Sequence, residues 1–148
     1  MKVLLDSNAL FPGLGFRGIE NKVIWLAILG KIRLVISDYL LAEFRRTVEK
    51  KFTGDRKKKA VELLNRLLVS GAVEVKGRED YISYLEEADK LINEKDSPIL
   101  ACAMRGDIDV LVSGDKDFHT SKVKGRVRVM KAREFLEWHH RMTSNNSL

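Results

Sequence analysis

Short apolar runs alternate along this chain with longer stretches in which apolar residues recur every three or four positions. KVLLD (2–6), RLVIS (33–37), AVEVK (72–76), VLVSG (110–114) and VRVMK (127–131) have strand length. The continuous apolar runs of the first, second and fourth fit strands buried on both faces. Between them, NKVIWLAILGK (21–31), YLLAEFRRTVEKKF (39–52), RKKKAVELLNRLLVS (56–70), YISYLEEADKLI (81–92) and SPILACAMRG (97–106) carry helical periodicity, and AREFLEWHHRM (132–142) follows the last strand. In the second of these helices Leu40, Leu41, Phe44, Val48 and Phe52 share one face. Asp38 is placed to N-cap it and Gly54 to end it.

Strands separated by helices need crossover connections, so the expected class is α/β: a single domain over 1–148, with a five-stranded parallel sheet flanked by helices on both faces. Residues 142–148, which run into the polar tail TSNNSL, are expected to fray. A chain of 148 residues, 45% hydrophobic and 32% charged with two prolines, fits one ordered domain rather than a disordered or fibrous chain. No window reaches the ~18 apolar residues of a membrane span, and the opening residues lack a signal-peptide pattern, so a cytoplasmic location with no membrane partner is expected. Cys102 is the sole cysteine. Its apolar setting, ILACAM, reads as core, which excludes a disulfide framework and a cysteine-rich zinc site. His119, His139 and His140 include no HxxxH pair, which argues against a zinc hydrolase.

Charge is concentrated in one place. Residues 45–59, RRTVEKKFTGDRKKK, hold eight Lys or Arg against two acids and so account for the whole net charge of +6. Such a run is either a solvated helix face or a phosphate-facing patch with Arg45, Arg46, Lys50, Lys51, Lys57 and Lys58 as its contacts. Arg17, in the glycine-bearing loop after the first strand, is a further candidate for a phosphate contact.

In an open parallel sheet, sites form beyond the carboxyl ends of strands where the strand order reverses. The first strand ends in Asp6, and the fourth runs into Asp115 and Asp117 of LVSGDKDF. Asp96, just before Ser97-Pro98, lies at a helix N-terminus, and Glu43 flanks the apolar stripe of its helix. Each acid alone also reads as a turn, a cap or surface charge. Ser7, Asn8 and Ser113 stand beside the aspartates, either as turn residues or as groups that orient a carboxylate. A receiver-type reading built on Asp6 is weakened by Asn8, which stands where a DxD motif needs a second aspartate.

Taken together, LLDSNAL, LLAEF, KDSPILACA and LVSGDKDF resemble the four-acid series of the PIN-domain nucleases, in the same order and at similar spacing. The subset most resembled is that of the PIN-family toxin components, VapC-like, which carry a similar GDKDF ending. The resemblance implies the sheet order 3-2-1-4-5, with Asp6, Glu43, Asp96 and Asp115 as catalytic, metal-binding acids and Asp117 as an outer or second-metal ligand. It also implies a Mg²⁺- or Mn²⁺-dependent endoribonuclease leaving 5′-phosphate and 3′-hydroxyl ends, a cognate antitoxin partner and a homodimer. Mg²⁺ and Mn²⁺ take oxygen ligands and bind through a few carboxylates plus substrate phosphate, which explains gathered acids in a basic protein. NEK before Asp96 departs from the acidic or proline-bearing run expected in that subset. The competing reading is a non-catalytic RNA-binding domain built on residues 45–59.

Overall fold

A computed structural model of the chain describes residues 1–7, 9, 10 and 18–146. Five strands, β1 (Lys2–Leu5), β2 (Arg33–Ser37), β3 (Val73–Lys76), β4 (Val110–Val112) and β5 (Val129–Met130), form one sheet in the order β3-β2-β1-β4-β5. Every pairing is parallel, and Leu4 stands level with both Val35 and Leu111. The central strands are apolar at nearly every position, and Leu4, Leu34, Val35 and Leu111 are completely buried. Such strands survive only when both faces are covered.

The helices are α1 (Ile19–Ile28), α2 (Asp38–Lys51), α3 (Gly54–Ser70), α4 (Arg78–Tyr81), α5 (Leu85–Asp89), α6 (Ser97–Ala103), α7 (Ser121–Lys124) and α8 (Ala132–Asn146). From β1 to β2 the chain moves one way across the sheet, and from β3 to β4 it moves the other way. Right-handed crossovers in opposite directions place their helices on opposite faces, so α1, against which α8 packs, covers one face and α4–α6 the other. Between β1 and β4 the order reverses, and that gap is where the site forms.

Local chemistry departs from the sequence expectation at several points. Ser37, not Asp38, caps α2: its Oγ accepts from the Leu40 amide at 3.0 Å. That frees the Asp38 carboxylate to accept from the Arg78 amide at 3.0 Å and the Tyr81 hydroxyl at 2.5 Å, tying α2 to α4. Gly54 does not end α2. Phe52 and Thr53 are extended, and Gly54, at φ +59°, opens α3. The expected helix over 81–92 is broken into α4, a 3₁₀ turn at 82–84 and α5, with Tyr81 at φ −125°, ψ −2° where its side chain is held by Asp38. α8 continues to Asn146. α7 is an element that the periodicity did not show; Thr120 caps it through the Val123 amide, and Val123 is fully buried.

Candidate metal centre

β1 delivers Asp6 into the sheet's switch point. Its amide still bonds to the Val112 carbonyl of β4 at 3.3 Å, and its side chain is 2% exposed. One carboxylate oxygen accepts from the Ala9 amide at 3.0 Å and the other from the Ser113 hydroxyl. Ser113, fully buried at the end of β4, serves a second acid as well, because its Oγ accepts from the Asp115 amide at 3.0 Å. Asp115 Oδ1 in turn accepts from the Asp117 amide at 2.9 Å and caps the following 3₁₀ turn. His119 is half-buried, with its Nε2 2.7 Å from the Ser113 carbonyl oxygen.

Asp96 approaches from the other face, just ahead of α6. Asn93 holds it: Asn93 Nδ2 donates to Asp96 Oδ2 at 2.8 Å, and Asn93 Oδ1 accepts from the Asp96 amide at 3.1 Å. Next to it, the buried Ser97 hydroxyl donates to Asp89 and lies within hydrogen-bond reach of the Asn93 carbonyl at 3.0 Å, which fixes the entry to α6. Neither Asn93 nor His119 was singled out from sequence. The one available cue for Asn93 is its position three residues before an acid at a helix start, the spacing of a side-chain-closed turn.

These elements bring Asp96, Asp115 and Asp117 together, each with a carboxylate oxygen within 4.8 Å of the others. Asp6 lies outside that group but within its field. Burial pushes the Asp6 carboxyl up to about 6; the bonds from Ser113 and Ala9 oppose the shift, and the charges of Asp115 and Asp96 add to it. Asp96 is also raised, first by burial and then by Asp115 and Asp117, against the lowering effect of Asn93 and Lys95. None of the four aspartates makes an ion pair among the described residues. Carboxylates so gathered repel one another unless protonated or bridged by a cation, and an all-oxygen donor set suits Mg²⁺ or Mn²⁺. The residues present therefore fit such an ion.

Glu43 sits half-buried on α2 and is not part of the three-carboxylate group. Ser7 is half-buried beside Asp6, while Asn8 and Arg17 lie outside the described residues. Of the basic segment, Arg45, Arg46, Lys50, Lys51 and Lys58 are exposed along α2 and α3. Lys57 instead pairs with Glu49 at 2.8 Å and clips the two helices together.

The family model of the PIN domain matches residues 2–117. The chain belongs to the PIN-domain family. That match runs from β1 to the last of the clustered aspartates and so contains every acid of the site. Solved structures share the PIN fold over almost their whole length. VapBC-1 from nontypeable Haemophilus influenzae is 19% identical with a TM-score of 0.62, covering 90% of this chain and 99% of that one. FitAcB from Neisseria gonorrhoeae is 22% identical with a TM-score of 0.60, covering 88% and 97%. VapBC2 from Rickettsia felis, bound to a DNA fragment from their promoter, is 17% identical with a TM-score of 0.59, covering 88% and 98%. Among curated proteins no match was found. No helix among the described residues is long and apolar enough to cross a membrane.

Proposed function

We propose that this PIN domain is a Mg²⁺- or Mn²⁺-dependent endoribonuclease and the toxin component of a toxin–antitoxin pair. The observation that carries the reading is the group formed by Asp96, Asp115 and Asp117 beside the buried Asp6, with no ion pair to neutralise it among the described residues. Asp96, Asp115 and Asp117 would hold the cation, with Asp6 beneath them and Glu43 on the α2 side. When bound, the ion neutralises charge at the scissile phosphate and acidifies the attacking water. The chain's own contribution is to position: Ser113 fixes Asp6 and Asp115 through one hydroxyl, and Asn93 fixes Asp96 through two bonds. The exposed cations of α2 and α3 attract the polyanion to an otherwise acidic centre. Likeness to VapBC and FitAB assemblies supports a cognate antitoxin as partner, and the resemblance to toxin components extends this to a homodimer.

Incubation of tRNA, rRNA and mRNA with Mg²⁺, Mn²⁺ or EDTA tests the reading. Cleavage is expected with either ion, none in EDTA, and a loss of at least about a hundredfold in Asp96→Asn. Undiminished cleavage in EDTA or in that variant overturns it. The second reading, RNA binding without cleavage, draws on the same exposed basic residues and predicts salt-sensitive binding with no product under any divalent ion.

A further inference from the structure

We propose that a cleft beside the acid cluster is the subsite for a guanine of single-stranded RNA, with Glu20 as its specificity residue; the inference rests on the nuclease reading above. The cleft, of about 180 Å³, opens beyond the carboxyl ends of β4 and β5. Ala9, Val112 and Gly114 line its inner side. Its charged lining comes from Glu20 in the first turn of α1 and from Lys131 and Arg133 at the start of α8. Both Ala9 and Gly114 adjoin the acids: the Ala9 amide bonds to Asp6 at 3.0 Å, and Gly114 joins Ser113 to Asp115. A nucleotide seated here is contiguous with a phosphate at the carboxylates.

The lining chemistry selects the occupant. Lys131 and Arg133 make no ion pair among the described residues, which leaves two cations for a phosphate backbone passing an acidic centre. Among the described residues Glu20 is likewise without an ion pair, and an ionised carboxylate only accepts hydrogen bonds. Guanine alone among the RNA bases presents two adjacent donors, N1–H and N2–H, on its Watson–Crick edge, the match to two carboxylate oxygens. Adenine, cytosine and uracil each place an acceptor beside their donor there, which sets a lone pair against an oxygen. Unpaired bases expose that edge, so a single strand rather than a duplex fits the cleft.

Mononucleotides are not cleaved, so binding can be read without activity. Titration of 5′-GMP, IMP, AMP and UMP into the ¹⁵N-labelled full chain is expected to shift the amides of Ala9, Gly114 and Arg133. GMP should bind about tenfold more tightly than AMP or UMP, the discrimination of one good bidentate pair, with IMP between them. Glu20→Gln should bring GMP down to the AMP level, and Lys131→Ala with Arg133→Ala should weaken all four alike. Absence of shifts at those amides, equal affinity for the four nucleotides, or a preference unchanged in Glu20→Gln overturns the proposal. The trinucleotide UGU should bind more tightly than GMP; the reverse order would mark a free-nucleotide site and overturn the RNA subsite. RNA cleavage without guanine binding here defeats this inference and leaves the nuclease reading intact. Guanine binding in a chain that cleaves no RNA does the opposite.

Discussion

Asn93 and Asp96 hold each other through two hydrogen bonds, amide to carboxylate and backbone to amide, at 2.8 Å and 3.1 Å. The pair precedes α6, so the Asp96 carboxylate is aimed by a side chain from the loop before the helix rather than by α6 itself. Groups that orient a metal-binding carboxylate typically contribute tenfold to a hundredfold in affinity or activity. Asn93→Ala should therefore weaken Mn²⁺ binding, followed by the paramagnetic resonance signal of the free ion, by about that factor. Its thermal midpoint should move by only a few degrees. An unchanged Mn²⁺ affinity would show that Asp96 needs no such support.

Asp6 gives the metal-free protein a pH dependence of definite sign. Its folded pKa, about 6, stands above the ordinary value of 3.8, so the native chain holds this proton more tightly than the unfolded chain does. Stability from the protonated group is complete below the ordinary value and is lost as pH rises through about 6. Between pH 4 and pH 7.5 the loss should be of order 2–3 kcal/mol, at 1.36 kcal/mol per pKa unit. Urea unfolding in EDTA should show this fall, and Asp6→Asn should flatten it. Because Asp96 is raised in the same sense, a residual slope is expected in that variant. A slope in the wild type no steeper than that of Asp6→Asn would contradict the burial argument.

Ser113 links the two strand ends, since one hydroxyl donates to Asp6 and accepts from the Asp115 amide. Removing it by Ser113→Ala takes away a bond that lowers the Asp6 pKa, so Asp6 should titrate higher still, read by carboxyl ¹³C chemical shift. The half-buried Asp115 amide loses its partner as well, and destabilisation of about 1–3 kcal/mol should follow. Ser113→Thr, which keeps the hydroxyl, should retain most of the Asp6 position.

The sheet was legible because its central strands are apolar runs set between helical stretches, and the switch point followed from the strand order that the family resemblance implied. Asp6 and Asp115 could be picked out as residues on which buried strands end. What could not be read is tertiary. Asn93 and His119 matter only because the fold closes a turn around Asp96 and a loop around Ser113. Ser37 and Asp38 are both good caps, and the choice between them was made by Tyr81 and Arg78, some forty residues away, which recruit the aspartate. The same tie breaks the helical pattern over 81–92, where local periodicity alone pointed to a continuous helix. For Glu43, the helix phase placed it at the edge of the apolar stripe, and the structure leaves it half-buried there, apart from the three clustered acids.

Asp38 provides a control away from the acids. Its carboxylate accepts from Tyr39, Arg78 and Tyr81, joining the start of α2 to α4. Asp38→Ala should cost about 2–3 kcal/mol, the scale of hydrogen bonds to a charged group, and Tyr81→Phe less. Both variants should bind Mn²⁺ like the wild type. A weakened Mn²⁺ affinity in Tyr81→Phe would mean that this tie reaches the clustered acids.

The basic corner formed by the end of α2 and the start of α3 separates attraction from chemistry. Arg45, Arg46, Lys50 and Lys51 are exposed, whereas Lys57 is engaged with Glu49 at 2.8 Å. Each exposed cation that meets a phosphate of a single strand releases counterions, and the logarithm of affinity then falls with the logarithm of salt by about 0.7 per contact. Replacing these four residues of α2 with alanine should lower RNA affinity and flatten the salt dependence by up to about three in slope, measured by fluorescence anisotropy across a salt series. Lys57→Ala should change the slope much less. If the slope is unmoved, the corner is a solvated helix face and the attraction must come from cations nearer the acids, Lys131 and Arg133 among them.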